Sequence, residues 1–433
     1  MITKNKKWQL IKILSNLNLS IVLLLLISVL SIIGTIIEQN KTLDYYQLKY
    51  PINNNNLFSI DWQTINTYKL DELYTSWAFL TLLFFFALSL ITCTFSTQLP
   101  SLKNAKRWRI RTSVKQADSI YSQKKYKSTT QSFSLYSFNQ LGYHAFYRSY
   151  SIYGYKGLIG KVGPIFVHIS IIFLLLGSLV SLCFSLFIQE MIPVGEDFSL
   201  HNVSNAGIFS VIPNNITGHV NSFHIDYYED QSIRQFYSSV HLQDHFSGKT
   251  IYSTIEVNKP LSFKGITIYQ TDWQVNGLRV QVSDHTIQIP LQKLENNNNS
   301  KWFTSVEYDS NNRISMIVSP TYNTINCYNS NGKLIENLEI GKEYNLDHLK
   351  IKVDSILMST GLQIKADPGV SLIYLSFGTL MLSTCISYLS FSQIWLIETE
   401  TTNTVCVQGK TNRAKIMFKK DIDKIQQYLK ESS

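Results

Sequence analysis

Residues 162–188 form the stretch VGPIFVHISIIFLLLGSLVSLCFSLFI, which has no Asp, Glu, Lys or Arg and whose single histidine is His168. A run of this length predicts a membrane-spanning helix, because about 20 residues rising about 1.5 Å each cross the hydrocarbon core of a bilayer. Three further uncharged runs have the same character and cover residues 19–37, 74–95 and 370–397. The chain is therefore expected to cross a membrane four times.

The first of these runs has a second interpretation. Four lysines precede it, as in a cleaved signal peptide. The run is longer than the apolar core of a signal peptide, and it ends in GTIIEQN without a small-residue cleavage site. A spanning helix is therefore favoured.

The charges between the runs indicate how the chain is oriented. Residues 96–161 carry twelve Lys and Arg against the single Asp118, and the N-terminal tail carries four Lys and no acid. Residues 188–368 carry thirteen Lys and Arg against nineteen Asp and Glu. Because cytoplasmic loops are enriched in Lys and Arg, the basic regions are expected on the cytoplasm-like side, together with both termini. The net charge of +9 is thus a topology signal, and no aromatic-interleaved basic motif points to nucleic acid.

The acidic region has the pattern of β-structure. Alternation with a period of two residues occurs in 232–242, 249–257, 265–273 and 278–289, and the sequences SGK, NG and NNNNS predict turns. A sandwich or barrel-like domain without long helices is expected. The predicted fold class is a membrane α + β protein, with four transmembrane helices and a large β-rich extracytoplasmic domain between the third and the fourth.

These patterns divide the chain into six segments. They are a two-helix transmembrane hairpin (1–95), a basic segment (96–161), the third spanning helix (162–188), the β-rich domain (189–368), the fourth spanning helix (369–397) and a tail (398–433). The loop at 38–73, which contains an Asn tract at 53–56, is expected to be too polar for burial. In the tail, Phe418, Ile422, Ile425 and Leu429 recur at helical spacing and predict an amphipathic surface helix. Asp367 and Pro368 are suited to cap and begin the fourth spanning helix.

Cysteine usage and motifs exclude several classes of protein. Five cysteines occur singly, and the chain has no C-x-x-C, so no local motif encodes dithiol chemistry or covalent c-type haem attachment. Buried or idle thiols are favoured over a thiol relay through Cys183 and Cys327. No H-E-x-x-H, G-x-S-x-G, P-loop or G-x-G-x-x-G is present, which argues against hydrolytic and nucleotide-using enzymes.

His168 is the candidate functional residue, because an ionisable group at membrane depth is costly and usually faces a partner or a cavity. Three interpretations are open: interhelical packing, proton relay, and ligation of a metal or haem iron by the neutral imidazole. A proton path is expected to include an intramembrane Asp or Glu, and the four runs contain none. A second haem ligand would have to come from elsewhere.

Four further histidines lie close together in the β-rich region: His219, His224, His241 and His245. On a helix, His241 and His245 would share a face and could bind a metal. The surrounding pattern is strand and turn, which separates them, so no metal site and no catalytic residue is predicted there.

Several stretches together resemble the ResB/CcsB family of the system II cytochrome c maturation pathway. They cover nearly the whole chain in order, and only residues 296–345, rich in Asn, match poorly. The stretches are GTIIEQ (34–39), SWAFL (76–80), LSLITCTFSTQLP (88–100), G-x-x-G-x-x-x-x-H-x₈-G around His168, FHIDYY (223–228), IEVNKPLSFKGITIYQTDW (255–273) and LQIKADPGVSLIYLSFGTLM (362–381).

The resemblance implies a non-enzymatic subunit that works with a CcsA-type membrane protein carrying a Trp-rich haem-handling loop. Together they would move haem across the membrane and present it to the CxxCH motif of apocytochromes c. By the same resemblance, His168 matches the intramembrane histidine of the family, a candidate axial haem ligand. The rival interpretations are a scaffold that recruits these partners without binding haem, and a small-solute transporter, which would need more polar residues in its spans.

The composition also bears on location. Asn, Ile, Lys, Tyr and Phe are abundant, as in chains from AT-rich genomes, and no transit peptide is visible. These features favour a plastid-encoded thylakoid protein with both termini in the stroma and the β-rich domain in the lumen. The plasma membrane of an AT-rich bacterium is the alternative.

Overall fold

The computed structural model describes residues 2–52, 61–107, 125–127, 131–148, 151–230, 232–282, 285–294, 301–309, 312–319, 324–346, 349–399 and 404–431. The chain divides into two compact units. The helical unit comprises Met1–Ser178 and Ser371–Ser433, and the strand unit comprises Leu179–Val370.

The α-helices of the described residues are numbered in chain order. They are α1 (Ile2–Leu14), α2 (Leu17–Ile36), α3 (Leu43–Lys49), α4 (Trp62–Tyr68), α5 (Trp77–Cys93), α6 (Leu99–Lys106), α7 (Gln131–Gln140), α8 (Gly163–Phe184), α9 (Gly369–Ser387) and α10 (Lys415–Glu431). A π-helical turn, Thr94–Gln98, joins α5 to α6 without a break, and short 3-10 turns occupy Leu70–Thr75 and Leu158–Lys161.

Four of these helical stretches are long and apolar enough to cross a membrane, as the sequence predicts. They contain α2, the continuous α5–α6 rod, α8 and α9. Apolar side chains of α2, α5 and α8 pack together. Leu23 of α2 and Phe86 and Leu90 of α5 are buried against apolar residues of α8. Hydroxyl pairs add interhelical hydrogen bonds, with 2.7 Å between Ser20 and Ser89, the kind of polar contact that joins helices in lipid.

The fourth apolar run is shorter as a helix than the sequence predicts. Helix α9 ends at Ser387, and Ser392–Thr399 form a β-strand. The prediction that the spanning segment extends to Ile397 is therefore wrong. An uncharged run does not distinguish a spanning helix from a buried strand that follows it, because the four consecutive apolar residues 394–397 are all buried in this strand and show no strand periodicity.

The loop after α2 contains a small core of its own. Ile37, Tyr46 and Ile65 are almost completely buried, and they pack together between α3, α4 and the end of α2. The expectation that this loop is too polar for burial is wrong, because three well-spaced apolar side chains suffice for a cluster. The Asn tract at 53–56 lies outside the described residues.

The strands of the described residues are likewise numbered in chain order. They are β1 (Lys125–Lys127), β2 (His144–Arg148), β3 (Ser151–Lys156), β4 (Leu186–Pro193), β5 (Asp197–Ser199), β6 (Val203–Ala206), β7 (Ile216–Tyr227), β8 (Ile233–Asp244), β9 (Thr250–Glu256), β10 (Leu261–Phe263), β11 (Ile266–Val282), β12 (His285–Pro290), β13 (Gln292–Leu294), β14 (Lys301–Asp309), β15 (Asn312–Ser319), β16 (Thr324–Tyr328), β17 (Leu334–Glu339), β18 (Glu343–Leu346), β19 (Leu349–Ala366), β20 (Ser392–Thr399) and β21 (Thr404–Thr411).

The helical unit contains a sheet that joins the basic segment to the tail. Its antiparallel strand order is β1-β21-β20-β3-β2, so the two strands that follow α9 lie between strands that precede α8. The predicted tail helix is present as α10, and its four predicted apolar residues are at most 2% exposed. They pack on the sheet with Phe138 of α7. Segments 96–161 and 398–433, which the sequence suggests as separate, thus share one core.

The strand unit consists of three antiparallel sheets, and within its described residues it has no helix between Phe184 and Gly369. Its spine is the pair of long strands β11 and β19. The first half of β11 and the last half of β19, with residues such as Ile268 and Leu362, join a core shared with β4, β7, β8 and β9. The last half of β11 and the first half of β19, with Val280 and Val353, join a second core shared with the meander β13–β17. Strands β14–β17 of this meander lie in the Asn-rich region 296–345.

Two of the predicted turns have different outcomes. The SGK turn is confirmed, because Gly248 has φ +66° and the chain reverses between β8 and β9. The NG turn is wrong: Asn276 and Gly277 lie inside β11 at a β-bulge, where pairing with β19 shifts between Val275 and Gly277. A bulge and a hairpin turn both favour this dipeptide. The NNNNS tract at 296–300 lies outside the described residues.

The start of α9 is capped as the sequence predicts. The carboxylate of Asp367 accepts a hydrogen bond from the backbone N–H of Gly369 at 3.1 Å. It also accepts one from the Ser181 hydroxyl near the end of α8, at 2.6 Å. The capping residue therefore links the last turn of the third span to the first turn of the fourth.

The opposite ends of the same two helices meet at two glycines of the G-x-x-G motif. A Cβ atom on Gly160 would lie 1.9 Å from the carbonyl oxygen of Leu389, and one on Gly163 would lie 2.5 Å from the backbone of Ser387. Both contacts involve backbone atoms, so neither can be relieved by a side-chain rotation. Only glycine permits this approach.

We expect Gly163→Ala to destabilise the helical unit, because the added methyl group forces α8 away from the end of α9. The cost should be about 1–3 kcal/mol, as for other overpacked sites. The measurement is thermal unfolding of the detergent-solubilised protein. Gly378→Ala is the matched control, since no atom lies within 4 Å of its Cβ position on α9. Equal unfolding temperatures for the two variants would contradict the proposed close contact.

Candidate functional site

His168 lies on α8 and faces the π-helical turn that continues α5. Its Nδ1 atom is 3.0 Å from the hydroxyl of Thr94, and its Nε2 atom is 3.0 Å from the side-chain nitrogen of Gln98. The ring is half-buried. Both ring nitrogens therefore have partners, and both partners come from the same five-residue segment.

The hydrogen bonds of Thr94 indicate which ring nitrogen carries the proton. The Thr94 hydroxyl donates to the carbonyl oxygen of Leu90 at 2.8 Å, so its oxygen is left to accept from His168 Nδ1–H. Nε2 then carries the lone pair and accepts from the Gln98 amide. This arrangement fits a neutral imidazole, and Nε2 is the atom with which such a ring can ligate a metal.

The π-helical turn has a local cause in Pro100. Proline has no N–H to donate to the carbonyl of residue i−4, and its ring clashes with that carbonyl. The helix accommodates this by widening over Thr94–Gln98, where the N–H of Leu99 bonds to the carbonyl oxygen of Thr94, five residues earlier. Such turns are frequent at functional sites. Here the turn places the polar side chains of Thr94 and Gln98 on either side of one ring.

One polar atom beside His168 lacks a partner. The side-chain oxygen of Gln98 is buried and has no hydrogen bond among the described residues. The Gln98 side chain is held at His168 by the hydrogen bond of its nitrogen alone. Moving it away from Nε2 would therefore break a single hydrogen bond. The donor set thus fits one axial position of a haem: a neutral imidazole fixed by a hydrogen bond at Nδ1, with a displaceable group at Nε2.

The same geometry bears on the competing interpretations of His168. Its two hydrogen bonds are to neutral groups, and no carboxylate of the described residues pairs with it. Proton relay is thus left without a partner. A packing role and a metal-ligand role for His168 both agree with its hydrogen bonds to Thr94 and Gln98, because each role needs the ring to be fixed between α8 and the second span.

Each of the four histidines of the strand unit has its own side-chain partner, although His219 and His241 lie opposite each other where β7 pairs with β8. His219 bonds to Asp197 at 2.8 Å, and His245 bonds to the Thr217 hydroxyl at 2.9 Å. The rings of His224 and His241 stack on Tyr237 and Tyr252, respectively. Among the described residues, no group of three or more His, Cys, Asp or Glu is arranged to bind a metal ion.

The two candidate relay cysteines have different surroundings. Cys327 on β16 is fully buried in the core of the meander, and this burial raises the pKa of its thiol to about 12. A thiol that stays protonated is a poor nucleophile. Cys183 lies in the last turn of α8 and is only partly buried. The structure therefore favours a packing role for Cys327 over the thiol relay.

Comparison with known proteins places these features in a family. The sequence profile described as the ResB-like family matches residues 17–323 and 319–423. The chain belongs to the ResB-like family. It is 42% identical to the cytochrome c biogenesis protein Ccs1 of Porphyra purpurea over 98% of this chain and 96% of that one.

Other members of the ResB-like family match over similar lengths. The Ccs1 protein of Gracilaria tenuistipitata is 40% identical, with 98% of each chain covered. The cytochrome c biogenesis protein CcsB of Crocosphaera subtropica is 36% identical over 96% of this chain and 93% of that one. The resemblance stated from the motifs is therefore confirmed at the level of the family.

One ResB-like motif has a clear structural role. In GTIIEQ, the Gln39 side chain donates to the carbonyl oxygens of Ile37 and Leu70 and accepts from the N–H of Leu73. It thereby joins the two ends of the loop after α2. Lys49 forms an ion pair with Glu38 and lowers the pKa of that carboxyl to about 2.

We expect Thr94→Val and His168→Phe to be coupled energetically, because each removes a partner of the same hydrogen bond. The coupling energy in a double-mutant cycle should be about 0.6–2 kcal/mol, the range for interhelical hydrogen bonds in membranes. Equilibrium unfolding in mixed micelles measures it.

Thr92→Val supplies the control for this cycle. The Thr92 hydroxyl bonds only to carbonyl oxygens of its own helix, those of Leu88 and Ser89. Its loss should therefore be additive with His168→Phe. If the unfolding free energies of Thr94→Val and His168→Phe are also additive, the hydrogen bond of Thr94 does not fix the His168 ring.

Proposed function

We propose that this protein is an accessory, non-enzymatic subunit of a membrane complex for c-type cytochrome biogenesis. It acts at haem delivery and haem attachment to apocytochrome. Support for the general role comes from the family and from relatives named cytochrome c biogenesis proteins. Support for the haem-handling role comes from one observation, the neutral imidazole of His168 with its lone pair at Nε2.

In this proposal His168 would hold the iron of a haem through Nε2, and the haem would supply the group that becomes attached to the apocytochrome. Thr94 keeps the proton on Nδ1 and thereby orients the ring. Gln98 occupies Nε2 in the absence of a ligand and must turn aside. A second nitrogen ligand would come from a CcsA-type partner, because the four apolar runs contain no other histidine.

The proposed location is the thylakoid membrane of a plastid. The relatives from Porphyra and Gracilaria, both red algae, support it, whereas the relative from Crocosphaera, a cyanobacterium, keeps a bacterial membrane as the alternative. Both termini and the sheet of the helical unit lie in the stroma. The strand unit, with its acidic balance, lies in the lumen, where apocytochromes c receive haem.

We expect reporter fusions to place positions 120 and 410 on one side of the membrane and position 280 on the other. The physical reason is the excess of Lys and Arg in residues 96–161 and the acidic excess in residues 188–368. Protease protection of tagged full-length protein in sealed vesicles measures the same sidedness. Finding positions 120 and 280 on one side would exclude the four-span topology.

We expect His168→Ala to reduce c-type cytochrome assembly while the protein still accumulates. Loss of a residue that hydrogen-bonds to a metal ligand lowers metal affinity or activity about 10- to 100-fold. Loss of the ligand itself should lower cytochrome assembly by at least that factor. Immunoblots measure abundance, and haem staining measures assembled cytochrome. Added imidazole should restore part of the haem absorbance, because the iron needs only a neutral nitrogen donor.

Ser170→Ala is the matched control for a packing role. The Ser170 hydroxyl lies on the same helix and donates to Thr379 of α9 at 3.0 Å. Its loss should lower protein abundance more than activity per molecule, and imidazole should have no effect. If His168→Ala behaves in the same way, or leaves cytochrome assembly unchanged, the protein is a scaffold that recruits its partners without binding haem.

A further inference from the structure

A cavity of about 450 Å³ opens in the helical unit beside the π-helical turn. Three parts of the chain form its wall: the continuation of the second span from Ser96 to Ala105, Lys161 just before α8, and the segments around Phe391 and Lys410 that follow α9. The cavity therefore lies where the second span ends, the third begins and the fourth has just ended.

Two cations line this cavity and a third lies close to them. Lys161 and Lys410 belong to the wall, and Lys410 and Arg413 are near enough to Lys161 to interact with it electrostatically. Within the described part of the chain, none of the three forms an ion pair with a carboxylate. The like charges repel one another, so an anion in the cavity would be stabilised by the two lysines that line it.

The remaining wall suits an oxygen anion attached to an apolar body. Hydroxyl and amide groups of Thr97, Ser101, Asn104 and Asn412 supply hydrogen-bond donors. Pro100, Ala105 and Phe391 supply apolar surface. A cation beside neutral donors is the usual environment for a bound carboxylate or phosphate. The apolar part fits a ligand that enters from the membrane boundary.

The cavity and His168 share a wall. Within the π-helical turn, Thr94 and Gln98 contact the His168 ring, whereas Ser96 and Thr97 line the cavity. A group bound in the cavity is thus separated from the imidazole by one turn of backbone. The basic side chains of the cavity belong to the segments that carry the basic charge excess.

We propose that this cavity binds the anionic oxygen group of a membrane amphiphile, either the carboxylates of a porphyrin or the phosphate of a lipid headgroup. Lys161 and Lys410 supply the charge, and the neutral side chains supply directed hydrogen bonds. Binding of a lipid phosphate does not depend on the proposed function. Binding of porphyrin carboxylates rests on the proposed function, and it would place the entry of haem on the basic side of the membrane.

The test compares Lys161→Gln/Lys410→Gln with Lys419→Gln/Lys420→Gln in the full-length protein. The control pair changes the net charge equally, and its side chains are exposed on α10 outside the cavity. The first probe is iron-free protoporphyrin IX, whose fluorescence reports binding without an axial ligand, together with its dimethyl ester. The second probe is phosphatidylglycerol against phosphatidylcholine, measured as lipid retained in native mass spectrometry.

If porphyrin carboxylates are the ligand, the cavity variant should bind protoporphyrin IX about tenfold more weakly, while binding of the dimethyl ester is unchanged. If a lipid phosphate is the ligand, the cavity variant should lose phosphatidylglycerol selectively. In both cases Lys161→Arg/Lys410→Arg should bind as the unmodified protein does. The cavity and control variants giving equal results with both probes would overturn the proposal.

Two further variants keep the result separate from folding and from the proposed function. Ser101→Glu leaves both lysines in place and puts a competing carboxylate into the cavity, so it should weaken binding of the same probe. His168→Ala should leave binding of iron-free porphyrin unchanged while haem absorbance is lost. If His168→Ala keeps its haem absorbance while the cavity variant loses probe binding, only the haem-ligand role of His168 is rejected. If haem absorbance is lost in His168→Ala while the cavity variant binds both probes as the control does, only the cavity proposal is rejected.

Discussion

An imidazole among apolar helices must have both of its nitrogens satisfied, and the helical unit is arranged around this requirement. Thr94 and Gln98 of the second span meet this requirement, and the close approach of α8 to α9 at Gly163 determines where the ring lies along the bundle. An unpaired polar group in this setting would cost several kcal/mol. The π-helical turn before Pro100 is the backbone distortion that brings both partners to the ring.

Much of the fold could be predicted because two signals are strong in this sequence. Long uncharged runs predict spanning helices, and alternation predicts strands, as in β8 and β9. The errors occur where two structures share one signal. The run that contains α9 continues into the apolar strand β20, and the dipeptide Asn276–Gly277 suits both a turn and the bulge in β11. Only the pairing with β19 decides the second case.

The site could be predicted in part for a similar reason. His168 stands out because it is ionisable in an apolar run, whereas Thr94 and Gln98 are unremarkable in sequence. The signal that could have found them is a pair of polar residues four apart, followed by Pro100 at the end of a span. Lys161 and Lys410 lie far apart in the chain, and only the meeting of the span ends brings them to one cavity. No local pattern contains that information.

The sheet of the helical unit also affects the order in which the protein is made. Strand β3 is synthesised before α8, yet its partner β20 follows α9, so the whole strand unit must leave the ribosome first. At about 5–20 residues per second this delay is on the order of tens of seconds. Throughout that time the β2–β3 hairpin has an open edge that can pair with other chains. Synthesis of β20 therefore closes the sheet, and a chain that stalls before β20 would leave a nascent protein with an aggregation-prone edge.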